Sequence, residues 1–154
     1  MNDNPAFGAN LEPFMGITSF MRLPVTRELK DVDVAVLGAP FDSGTSYRSG
    51  TRLGPRKIRE TSLMIWGHNP TLNISPLKKL NVVDYGDVSV IPTSIEHTMT
   101  AITNMASEII ETGTKLITLG GDHSIALPLL RSHAKKHGPV SLVHIDAHLD
   151  TWKE

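Results

Sequence analysis

Val140-Ser141-Leu142-Val143-His144-Ile145-Asp146-Ala147-His148-Leu149-Asp150 runs from an apolar segment straight into alternating carboxylate and imidazole side chains. The part from Val140 to Ile145 has the branched, mostly unalternated composition of a strand covered on both faces. Side chains of an extended segment alternate sides, so Asp146, His148 and Asp150 fall on one side where that strand runs out. Two carboxylates and an imidazole gathered without a cationic neighbour repel one another and are costly to desolvate, and a divalent cation removes that cost. Mixed imidazole and carboxylate donors suit manganese, iron, cobalt, nickel or zinc better than calcium or magnesium. His144 shares parity with Asp146 one step deeper, where a side chain supports a ligand instead of serving as one.

Just upstream, Lys115-Leu116-Ile117-Thr118-Leu119 reads as another strand, followed by Gly120-Gly121-Asp122-His123-Ser124. Two glycines permit a tight, close-packed turn. A helix is expected from about Ser124 to His137, closed by Gly138. If the two strands are parallel neighbours, His123 and Asp146 meet over one metal. Asp122 is then placed to orient His123 or to accept from the backbone, as outer groups do around metal ligands.

Toward the N-terminus the alternation continues. Val34-Ala35-Val36-Leu37-Gly38 is a buried strand candidate, and Val82-Val83 leading to Tyr85-Gly86-Asp87 is another. A helix can begin at Pro55, with Ile58, Ser62 and Ile65 at helical spacing. Thr93-Ser94-Ile95-Glu96 resembles a capping box, and Ile95, Met99, Ile102, Ala106 and Ile109 form an apolar stripe that should stop at Gly113. Strands alternating with helices argue an α/β fold with a mostly parallel sheet. Ligands of such sheets bind beyond the carboxyl ends of the strands, where these polar motifs lie. The loop Phe41–Gly54 is glycine-rich but lacks the Gly-Lys-Ser/Thr of a phosphate-binding loop, so it reads as a buried scaffold at the rim, with Arg48 and Arg52 holding acidic neighbours or a partner subunit. His68, His97, His133 and His137 read as surface or packing residues, and Trp66 and Trp152 as packing residues.

Composition narrows the classes. Hydrophobic residues are 40% and charged residues 20% of the 154, which excludes a disordered chain. The formal charge of −1 offers no global attraction to nucleic acid or to an anionic membrane. With no cysteine, disulfides, thiolate metal sites and a cysteine nucleophile are excluded. Apolar runs fall well short of the ~20 residues of a membrane span. Met1-Asn2-Asp3-Asn4-Pro5 lacks the start of a secretory signal, so a cytoplasmic protein is expected.

Gly120–Ser124 and Asp146–Asp150 resemble the first two metal signatures of the ureohydrolases, the family of arginase, agmatinase, guanidinobutyrase and formimidoylglutamase. Gly38-Ala39-Pro40-Phe41-Asp42-Ser43-Gly44, the run Gly50-Thr51-Arg52-Leu53-Gly54-Pro55, Asp84-Tyr85-Gly86-Asp87 and His144-Ile145-Asp146-Ala147-His148 look like the agmatinase branch. The likeness runs from about Phe14 to the last residue. It implies a three-layer α/β/α sandwich, incomplete in this chain, with an N-terminal extension over about residues 1–32 and the α/β core over about 33–154. It implies two divalent ions, foremost manganese, with nickel, cobalt or iron as alternatives. His123 and Asp150 would bind one ion, His148 the other, and Asp146 both. The implied reaction is hydrolysis of agmatine to putrescine and urea, by a homo-oligomer that takes a small guanidino substrate and neither nucleic acid nor membrane.

The family also draws on a later Asp-x-Asp pair, a later glutamate and a later histidine loop, and these map to nothing here. The expectation is therefore the N-terminal half of such an enzyme, inactive alone, with its remaining catalytic residues beyond Glu154. The alternatives are a guanidinobutyrase or other guanidino-compound hydrolase, a non-catalytic metal-binding homologue, and a deacetylase-like hydrolase with a related sheet.

Overall fold

The computed structural model describes residues 12–150. Three strands, β1 (Val34–Ala39), β2 (Val82–Asp87) and β3 (Lys115–Gly120), form a parallel sheet in the order β2-β1-β3. Helices α1 (Gly54–Ser62), α2 (Ile95–Glu111) and α3 (Ala126–His137) lie between and after them. β1 is central, and its apolar run is buried from Ala35 to Ala39. Through Ala35, Leu37 and Ala39 it meets Ile102 and Ile109 of α2, with Val83 and Tyr85 of β2 alongside. Through Val36 it meets Leu119 and Leu23 on the opposite face. The chain is thus covered on both faces of the sheet, the α/β/α arrangement.

α1 covers the second face with a charged residue. Its buried positions are Pro55, Arg59 and Ser62, while Ile58 is exposed and Ile65 lies beyond the helix end, also exposed. Of the three positions expected at helical spacing Ser62 is buried, but Ile58 and Ile65 are not, and the reason lies on β2. Pairing with β1 slips by one residue between Val36 and Leu37, opposite Tyr85, where Gly86 has φ 81°. An extra residue reverses side-chain parity beyond it. Asp87 is thereby brought to the same side as Asp84, and both meet Arg59. Its Nε and Nη2 donate to Asp84 at 2.7 and 2.8 Å, and its Nη1 donates to Asp87 at 2.6 Å. Gly38 on β1 makes room: a Cβ there would lie 1.8 Å from Asp87 Oδ1. Burial pushes the Asp84 carboxyl up, but Arg59 and the N–H groups of Phe20 and Gly86 more than offset this and hold it below the usual range. The segment before β1 crosses this face, with the Phe20 N–H on Asp84 at 2.8 Å and the Met21 N–H on Ser62 Oγ at 2.7 Å.

α2 starts one residue later than a Thr93 cap would place it. Ser94 is the N-cap, its Oγ accepting from the His97 N–H at 3.4 Å and lying 2.6 Å from His97 Nδ1. The cap therefore pairs with His97 and not with Glu96. Gly113 follows the helix with φ 90°. Lys136 of α3 donates to the carbonyls of Ile110 and Glu111 at 2.6 and 2.9 Å, closing the negative end of α2.

The expected fourth strand does not form. Residues 140–145 have no strand assignment, and Val143 and Ile145 are 85% and 95% exposed. Strand-forming composition needs a paired edge and a cover for both faces, and nothing among the described residues covers these side chains. Trp66, expected in packing, is 86% exposed. Trp152 lies outside the described residues.

Candidate metal centre

β1 leads through its loop into α1, and β3 leads through a tight turn into α3. α1 and the α2–α3 pair cover opposite faces, so the two loops part at the carboxyl ends of adjacent strands. That divergence is the switch point at which open α/β sheets bind ligands. The turn after β3 is built by close approach. Gly121 has φ 78°, and a Cβ there would lie 2.5 Å from the Ala39 carbonyl and 2.7 Å from that of Phe41. Only glycine fits both the conformation and the space.

Asp122 joins the two loops. Its Oδ2 accepts from the Gly44 N–H at 2.8 Å, and its Oδ1 accepts from the Ser124 N–H at 3.0 Å and from the Ser124 hydroxyl. Its own N–H donates to the Phe41 carbonyl at 2.8 Å. Of the two roles expected for Asp122, the structure displays the contact with backbone. His123 follows at the start of a 3-10 turn, His123–Ile125, that enters α3. The β1 loop has its own clasp. Asp42 is buried, accepting from the Gly50 N–H at 2.6 Å and from Arg52 Nε at 2.5 Å. Burial raises the Asp42 pKa, but the Gly50 and Arg52 N–H groups and the Arg52 guanidinium bring it below its ordinary value. Only the Phe41–Asp42 root of this loop is buried; from Ser46 to Gly50 it is exposed, against the expected buried scaffold. Arg52 holds an acidic neighbour, while Arg48 stacks on Tyr47 at 5.0 Å.

The segment from His144 to Asp150 comes against His123 without forming a strand. His123 Nδ1 lies 3.7 Å from Asp146 Oδ2, and its Nε2 lies 3.2 Å from Asp150 Oδ2. His144 Nε2 lies 3.3 Å from Asp146 Oδ2. Ligand atoms of His123, His144, Asp146 and Asp150 all lie within 4.8 Å of one another. His148 stands at the margin, its side chain 84% exposed, with Nδ1 3.7 Å from the other oxygen of Asp146. The backbone N–H of His148 donates to Asp146 Oδ1 at 3.0 Å. This is the first cause of a lowered Asp146 pKa; partial burial opposes it, and His144 adds to it.

Three of the expected ligands therefore converge, and His148 reaches only Asp146. The convergence arises from a loop beside the turn after β3, not from two neighbouring strand ends. His144 enters the cluster that sequence assigned to the other four. Its parity with Asp146 was the available signal, but parity gives a side and not a distance. The donor set fits divalent ions on chemical grounds: carboxylates and imidazoles facing one point, with the two oxygens of Asp146 turned toward different histidines. The structure itself carries no side-chain cation here among the ion pairs of the described residues; the pairs are with histidine.

Residues 32–154 match the model of the arginase family. Human mitochondrial guanidino acid hydrolase is 45% identical over 137 residues, covering 89% of this chain and 39% of that protein. Guanidinobutyrase of Pseudomonas aeruginosa is 45% identical over 149 residues, covering 95% of this chain and 47% of that protein. The crystal structure of a hypothetical agmatinase from Burkholderia thailandensis superposes with a TM-score of 0.90 at 40% identity, over 100% of this chain and 50% of that one. The chain thus spans less than half the length of these two curated relatives. The match takes in the glycine turn, the loop clasped by Asp42 and the acid–histidine segment together, and the chain belongs to the arginase family.

Proposed function

We propose that the complete protein carrying this chain hydrolyses a small guanidino compound at a two-ion centre held in part by His123, Asp146, His148 and Asp150. The observation that supports this most is the placement of Asp146, whose Oδ2 faces His123 while its Oδ1 faces His148. A carboxylate so turned can serve two cations. His123 and Asp150 then belong to one ion and His148 to the other. Manganese is the metal of this reading, with nickel, cobalt or iron compatible with the same donors.

When bound, such ions supply Lewis acidity and lower the pKa of water at the site toward neutrality. The chain's own residues do the positioning. Asp122 ties the β1 loop to the turn that carries His123, so the imidazole is delivered by backbone held at both ends. In the reaction, water adds to the guanidinium carbon, the C–N bond to the alkyl nitrogen breaks, that nitrogen takes a proton, and urea and an amine leave.

Agmatine is the first substrate, on the likeness of the loop and of His144–His148 to the agmatinase branch. An ω-guanidino acid is the second, favoured by the two relatives at 45% identity. Urea release from agmatine, guanidinobutyrate, guanidinopropionate and arginine by the full-length protein separates them, and no urea from any of the four rejects the assignment. Metal content tests the centre. Two manganese-like ions per chain agree with it, whereas one zinc ion supports a deacetylase-like site. The 154-residue chain alone, with manganese added, is expected to release little or no urea, because four ligands shared between two ions leave each ion short of partners. Turnover comparable to that of the full-length protein would refute this.

A further inference from the structure

We propose that His144 is a positioning residue of this centre: its imidazole, set between Asp146 and His123, fixes the rotation of the carboxylate that faces both ion positions. The inference rests on the two-ion reading above. Three observations carry it. His144 Nε2 lies 3.3 Å from Asp146 Oδ2. Its ring centroid is 5.1 Å from that of His123, inclined at 40°. Its side chain is 28% exposed against 52% for His123 and 84% for His148, making it the most covered of the three imidazoles.

The physical need is specific to Asp146. The last torsion of an aspartate is broad and two-fold, so nothing intrinsic holds its two oxygens in a chosen plane. One oxygen, Oδ1, is held by the His148 N–H at 3.0 Å. Among the described residues the ion-pair partners of the other are His123 and His144. In the ion-loaded centre an N–H from His144, whose Nε2 stands 3.3 Å from Oδ2, would complete the hold, in the way that ligating carboxylates are themselves hydrogen-bonded around metal sites. The tautomer is then the one with the proton on Nε2. His123 is the less suited to this task, because its Nε2 points to Asp150 at 3.2 Å and its ring is needed by an ion.

The test uses the protein at its full encoded length, stripped with chelator and titrated with manganese, with melting of the metal-free form as the control for folding. His144→Leu keeps bulk and removes the donor. His144→Gln keeps an N–H at about the reach of Nε2 and removes the imidazole. The expected result is two ions in the parent, a loss of manganese affinity of about 10- to 100-fold in His144→Leu with the metal-free melting temperature unchanged, and near-parent affinity in His144→Gln. Parent-like affinity in His144→Leu overturns the inference and leaves the centre standing. Equal loss in both variants overturns it in favour of direct ligation by the ring. A parent that binds no manganese overturns the centre and this inference with it. If His144→Leu does not fold, His144→Gln decides alone: retained affinity supports positioning and lost affinity overturns it.

Discussion

Asp84 and Asp87 of β2 and Asp146 and Asp150 beside the turn after β3 are two pairs of carboxylates, and they meet different partners. The first pair shares Arg59, which is nine-tenths buried with Asp84 and satisfies both acids by direct hydrogen bonds. Among the described residues the second pair has imidazoles as its ion-pair partners, in a half-open cluster. The Arg59 guanidinium keeps its charge at any working pH and bonds both acids directly, so the first pair is a fastening. Imidazoles are themselves metal donors, so the second pair, on the reading proposed above, is open to a cation from outside. The same residue type is a fastening in one place and a candidate ligand in the other because of what faces it.

Removing the internal cation should have the largest effect. Arg59→Ala leaves Asp84 buried without its cation, and stability should fall by about 3–5 kcal/mol, read from the denaturant midpoint of the purified protein. A shift under about 1 kcal/mol would mean that the two carboxylate pairs are not different in kind. On the other side of the comparison, Asp146→Asn should abolish tight binding at both ion positions, whereas His148→Asn should weaken one. Titration of the full-length variants with manganese checks this, and full two-ion occupancy in Asp146→Asn contradicts the bridging role.

Acid separates the pairs more gently. The Asp84 pKa is lowered in the folded state, so its ion pair stabilises the fold fully above the ordinary carboxylate range near about 4. That contribution is lost as pH falls through the lowered folded value, because protons bind the unfolded chain first. Unfolding free energy measured from about pH 5 down to about pH 2 should therefore drop less steeply in Asp84→Asn than in the parent. An unchanged acid limb would show that Asp84 titrates alike folded and unfolded. The smallest change lies away from both pairs. Ser94→Ala removes the α2 cap and should cost about 1 kcal/mol, seen as a modest shift in midpoint with manganese affinity untouched.

Much of the frame was legible along the chain. β1, β2 and β3 fall on their apolar runs, and α2 runs along the stripe of Ile102, Ala106 and Ile109 to its stop before Gly113. These are local signals: periodicity, a glycine at positive φ and a serine cap act within a few residues. α1 defeated the same logic. Its apolar spacing pointed to Ile58 and Ile65, but the buried face is organised by Arg59, whose partners lie 25 and 28 residues away on a strand with a register slip. The apolar run before Asp146 also misled, since a strand exists only when an edge pairs with it and neighbours cover it.

By itself, then, the sequence determined an alternating α/β chain, a glycine turn before His123, and a run in which Asp146, His148 and Asp150 follow at every second position. It also carried the family likeness. Only the tertiary structure decided which acids meet a guanidinium and which meet imidazoles, that Asp122 ties two loops together, and that His144 stands nearer the cluster than His148. Local geometry is set by torsions and neighbours in the chain. The state of a charge is set by whatever folding brings within a few ångströms of it, and that partner can lie anywhere in the sequence.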